Sequence, residues 1–196
     1  MPMGHRVFKP IAAITLLTLL LQGCAAVIGA VSGDEPIEQA PTDRTMGVVI
    51  DDEVVETIAV VNLRKASPGL AESNIHVTSF NGSVLLTGQV RAESLRGEAQ
   101  AIVAEVKNVR RVYNELEVTG PTSMLTRSSD TWITGKVKSL LLADKGVPGR
   151  DIKVVTENGI VYLMGLIRRA DADAATEVAR NAGGVRKVVR IFEYVD

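Results

Sequence analysis

From residue 51 onward the apolar positions follow two alternating rhythms. Helical spacing joins Ile133, Val137, Leu140 and Leu141, and a second stripe joins Leu95, Ala99, Ile102 and Val106. Between such stretches, apolar and polar residues alternate around Asn81-Gly82 and again around Asn158-Gly159. Asn-Gly between alternating runs predicts a β-hairpin, because a type I′ turn needs positive φ at both central residues. Ala175, Val178, Ala179 and Ala182 predict a further helix, and Asn108 and Gly183-Gly184 supply helix stops. Alternation resumes over residues 111–118 and 187–195, which predicts two closing strands. The order is α-β-β-α-β, written twice. The fold class is therefore α+β: two tandem domains, each a three-stranded mixed sheet packed on two helices that bury one of its sides.

The two copies can be laid over one another. At an offset of 77, residues 75–88 match residues 152–165 with seven identities, among them Val77, Asn81, Gly82, Val84, Leu86 and Gly88. The same offset pairs Thr57 with Thr134, Val60 with Val137, Leu63 with Leu140 and Ala66 with Ala143. Val109 and Val112 pair with Val185 and Val188 at an offset of 76. A unit this long is a duplicated domain rather than a solenoid repeat. In the first copy, Ser67-Pro68-Gly69 predicts an early helix end followed by a longer loop.

The N-terminal segment reads differently. Arg6 and Lys9 precede an apolar run over residues 11–21, too short to span a bilayer and of the size of a signal-peptide core. The run ends in Leu21-Gln22-Gly23-Cys24, which matches the bacterial lipobox, whose cysteine becomes lipidated and N-terminal on cleavage. Residues 1–23 are read as signal peptide and 24–50 as a lipidated flexible tether, acidic and interrupted by Pro36 and Pro41. Domains are then expected over 51–119 and 125–196. The covalent lipid on Cys24, diacylglycerol plus an N-acyl chain, is the only non-protein group the sequence implies; no cofactor is expected. Several acyl chains together make a stable anchor.

Composition narrows the function. Cys24 is the sole cysteine, so no internal disulfide or cysteine zinc site can form. Only His5 and His76 could supply imidazole, and no phosphate loop or nucleophile elbow is present. His76 alternates with Ile75 and Val77 on a strand and is read as solvent-facing. The expectation is a protein that is not an enzyme. A net charge of −1 argues against coating nucleic acid. That charge is unevenly distributed: residues 51–120 hold 7 basic and 10 acidic groups, residues 121–196 hold 12 and 9. The basic copy also carries the only tryptophan, Trp132.

The pattern Val-x-x-x-Asn-Gly-x-Val-x-Leu-x-Gly, at Val77 to Gly88 and Val154 to Gly165, resembles the BON-domain family. Two such domains behind a lipobox resemble the dual-BON lipoproteins of the Gram-negative outer membrane. The resemblance implies an envelope-maintaining role without catalysis, and anionic phospholipid binding through the second domain. Ala25 after the lipidated cysteine, where an aspartate would retain the protein in the inner membrane, implies the outer membrane.

Residues of the second copy fit that implication. Gly135, Lys136 and Ser139 lie three, four and seven residues after Trp132 and share its helical stripe, with Lys138 and Leu142 on the far side. Tryptophan beside lysine suits a membrane interface. Trp132, Gly135, Lys136, Lys138 and Ser139 are the expected phospholipid-binding residues. Ser129 or Asp130 is expected to cap the helix and leave amides for a phosphate. The alternative is that Trp132 packs in a core or against the first domain. In the first copy, Val55 stands near the tryptophan position among Asp51, Asp52, Glu53 and Glu56, which suggests a structural or protein-contact face. Arg168-Arg169, Arg186, Lys187 and Arg190 read as solvated surface or as a second anionic contact. The expected partner is an anionic membrane surface. The alternative function is a periplasmic scaffold docking on outer-membrane assembly or cell-wall proteins.

Overall fold

The computed structural model describes residue 42 and residues 44–195. Cys24, the signal peptide and most of the tether lie outside the described residues. Thr45 caps helix α1 (Met46–Ala66), its hydroxyl accepting from the Val48 amide. The helix thus begins inside the stretch whose composition predicts a tether. Ser67 closes α1 and caps a one-turn helix α2 (Pro68–Ala71), with Pro68 in its first turn. Where a long loop is expected, α2 instead buries Leu70.

The hairpin follows as β1 (Asn74–Phe80) and β2 (Ser83–Val90), antiparallel, with Asn81 and Gly82 both at positive φ. Helix α3 (Glu93–Ala104) leads to β3 (Arg111–Asn114) and β4 (Glu117–Val118), both parallel to β2. The last strand of the first copy is therefore interrupted at residues 115–116. Helix α4 (Met124–Ala143), a 3₁₀ turn (Gly149–Asp151), β5 (Ile152–Glu157), β6 (Ile160–Ile167), α5 (Arg169–Arg180) and β7 (Lys187–Tyr194) repeat the plan. β6 runs antiparallel to β5 and parallel to β7, which makes the sheet mixed, as expected.

Each copy buries one sheet face under its helices. Val55, Ala59 and Leu63 of α1 and Ala99 and Val103 of α3 meet Val84, Leu86 and Val90 of β2. In the second copy Ile133, Val137 and Leu141 of α4 and Ala172, Ala175 and Ala179 of α5 meet Val161, Leu163 and Ile167 of β6. These buried α1 and α4 positions correspond at an offset of 78, not the 77 read from the sequence. Within the hairpins 77 holds, so the copies differ by one residue between helix and strand. One residue turns a helix by about 100°.

The other sheet face is not solvated. Phe80 and Leu85 of the first copy pack on Tyr162, Met164 and Ile191 of the second, all 5% exposed or less. The two copies form one compact unit with their sheets back to back. Polar groups ring this apolar centre. Gln89 Nε2 donates to Glu157 at 2.6 Å, Asn81 Nδ2 donates to Glu193 at 2.9 Å, and Arg110 pairs with the same Glu193. Lys153 Nζ donates to Glu56 at 2.9 Å and to the Ser79 carbonyl at 3.1 Å.

Candidate functional site

Helix α4 is capped by Ser123, whose hydroxyl accepts from the Thr126 amide. The expected cap at Ser129 or Asp130 is thus corrected: both lie well inside the helix. Trp132 stands nine residues from the cap, about 13 Å along the axis. The free amides of the helix start cannot serve a phosphate held at Trp132.

Asp130 has a different task. It is buried, and its carboxylate accepts from the backbone amides of Asn158 and Gly159, both at 2.8 Å. The first copy repeats the device. Asp52 accepts from the Asn81 and Gly82 amides at 2.8 and 3.0 Å, from Ser79 Oγ at 2.7 Å and from Arg44 Nη1 at 2.9 Å. A type I′ turn leaves its amides pointing outward, and a helix-borne carboxylate satisfies them in a charge-assisted way. Asp52 and Glu56, read from sequence as part of a structural or protein-contact face, are engaged internally: Glu56 also accepts from the Ser79 amide at 2.7 Å.

Trp132 is 60% exposed, which decides between the two sequence readings in favour of the surface. Lys136 Nζ sits 4.8 Å from its ring centroid. Nothing stands within 4 Å of where a side chain on Gly135 would begin, and Ser139 Oγ donates to the Gly135 carbonyl at 2.9 Å. The indole edge approaches Gly184, at φ +98, in the turn between α5 and β7, and a Cβ on Gly183 would come within 2.9 Å of Lys136 Nζ. Trp132, Gly135, Lys136 and Ser139 are therefore brought together.

Lys138 is not. It lines a separate cleft of about 350 Å³ with Arg44, Phe80, Leu142, Arg150 and Lys153. One residue absent from the sequence-based set, Leu125, joins the Trp132 face instead. Met124 and Leu125 are 82% and 84% exposed in the first turn of α4. Leu125 stands seven residues before Trp132, two helical turns, and so shares its stripe. The signal was legible as Ser123 capping a heptad-spaced Leu125, Trp132, Ser139 series, but it requires the true helix start. None of the described helices is long and apolar enough to cross a membrane.

The architecture, two αββαβ units with back-to-back sheets, defines a class of duplicated small α+β domains built around an Asn-Gly hairpin held by a helix-borne aspartate. The BON domain model matches residues 51–120 and again 129–196, and the chain belongs to the BON-domain family. It is 39% identical to the outer membrane lipoprotein DolP of Haemophilus influenzae over 96% of this chain and 97% of that one. It is 42% identical to a 21 kDa hemolysin of Actinobacillus pleuropneumoniae over 79% of this chain and 80% of that one. The osmotically-inducible protein Y of Escherichia coli is 29% identical over 93% and 94%.

Proposed function

We propose that this chain is an outer-membrane lipoprotein, anchored through lipid on Cys24 and facing the periplasm, which is not an enzyme and binds anionic phospholipid through the outer face of α4. Likeness over nearly the whole chain to a protein named as an outer membrane lipoprotein supports the location. The observation that carries the binding is Trp132, 60% exposed under a lysine 4.8 Å from its ring. Leu125 extends the apolar strip, so a helix about 30 Å long can lie along the headgroup layer. Lys136 supplies attraction to anionic lipid. With the chain already anchored, the second contact is intramolecular and needs little intrinsic affinity. Maintenance of envelope integrity follows as the proposed role.

Vesicle flotation tests the reading. The chain should float with phosphatidylglycerol vesicles more strongly than with phosphatidylcholine vesicles, and rising salt should weaken it. Trp132→Ala should reduce the affinity about tenfold, the equivalent of about 1.4 kcal/mol for lost apolar insertion. Equal binding to both lipids, or an unaffected Trp132→Ala, would refute it.

A further inference from the structure

The outward face of α1 presents an anomaly independent of the lipid reading. Met46, Ile50, Val54, Ile58 and Val61 are 77%, 58%, 49%, 41% and 42% exposed. At spacings of three and four they form one stripe along the helix, opposite the buried Asp52, Val55, Ala59 and Leu63. Single exposed aliphatics are ordinary, but a contiguous stripe of five marks an interface. Its charges argue against an anionic membrane, since Asp51 and Glu53 flank it on either side.

Those charges point to the occupant. Asp51, Glu53, Arg64 and Lys65 make no ion pair among the described residues. Along one helix the acidic and basic groups are about 16–21 Å apart, too far to pair within the chain. We propose that the α1 stripe is a self-association surface on which a second copy docks with its own α1 antiparallel. A two-fold axis near Ile58 sets Val54 against the partner's Val61. It sets Asp51 beside the partner's Lys65 and Glu53 beside the partner's Arg64, and each contact occurs twice, as an isologous interface requires. Helical phase agrees: Asp51 and Lys65 project on one flank of the stripe, Glu53 and Arg64 on the other. One helix pair is a small interface, so the association is of the weak, transient class and depends on high local concentration.

Oxidative cross-linking of the full chain in isolated membranes tests this. Ile58→Cys should form a disulfide-linked dimer at least tenfold faster than Gln100→Cys, a control on the exposed side of α3, and than the unsubstituted chain. Val54→Asp added to Ile58→Cys should reduce the yield about tenfold. In the same background, Asp51→Lys or Lys65→Asp should each lower the yield, and the two together should restore it. All four positions are exposed, so an unchanged melting temperature verifies the fold. Cross-linking no faster than the control, single swaps without effect, or a double swap no better than its singles would overturn the proposal. So would capture of a different protein in place of a second copy.

Discussion

A buried aspartate on a helix is the residue that ties each domain's first element to its hairpin. Asp130 accepts from two turn amides and Asp52 from two amides, a hydroxyl and a guanidinium. Hydrogen bonds to a charged group contribute about 1.5–3 kcal/mol each, and truncation also strands the turn amides. Asp130→Ala is expected to cost about 2–4 kcal/mol in urea denaturation. Gly88 makes a companion case. It sits at φ +112 with a would-be Cβ only 2.0 Å from the Asn74 carbonyl oxygen, whereas a Cβ on Gly165 would stand 2.9 Å from the Asp151 oxygen without a positive φ. Gly88→Ala should therefore lower the melting temperature more than Gly165→Ala. The glycines and the Asn-Gly pairs were legible as motif positions. The aspartates were not, because a charged residue on an amphipathic helix reads as solvent-facing until the turn it serves is brought to it.

At the level of the element, the length and rotation of α4 decide which residues act together. Its start at Met124 adds Leu125 to the Trp132 face, and its rotation sends Lys138 into the cleft beside Arg150. In the proposed lipid contact, Lys136→Ala should weaken binding to phosphatidylglycerol vesicles several-fold, and Lys138→Ala much less. Leu125→Ser should weaken binding without moving the melting temperature, since an 84% exposed side chain contributes little to the fold. The helix α1 shows why its rotation escaped sequence reading. Both its faces are apolar, one packed on the sheet and one exposed, so periodicity does not single out the buried face. The repeat was consequently aligned one residue out of register there.

For the whole molecule, the sandwich of two sheets is the dominant fact. Leu85 and Met164 are fully buried between the copies. Leu85→Ala should cost about 2–5 kcal/mol, and it should destabilise both copies together in a single transition followed by far-UV circular dichroism. The polar ring adds a dependence on pH. Arg110 donates to Glu193 and holds its carboxyl below the ordinary value of 4.5, despite partial burial acting the other way. A carboxyl whose folded pKa is lowered contributes stability fully above its unfolded value and loses it as pH falls through the folded one. Glu193→Gln should thus reduce stability at pH 7, with the difference from the parent shrinking as pH falls from the ordinary carboxylate value through the lowered folded one. The contribution is small, since Glu193 is partly exposed.

The sequence by itself determined the duplication, the αββαβ order, the hairpin turns and the family, because each of these is written in local spacing and in residues with special backbone needs. Asn81-Gly82 and Asn158-Gly159 adopt positive φ in both copies, as their chemistry requires. Tertiary structure alone decided three things: that the second face of each sheet is covered by the other copy, that Asp52 and Asp130 are internal, and which residues of α1 and α4 face outward. Strands buried on both faces lose the alternation that would announce which side is which. A helix turns its face by about 100° per residue, so a single uncounted residue separates a buried stripe from an exposed one.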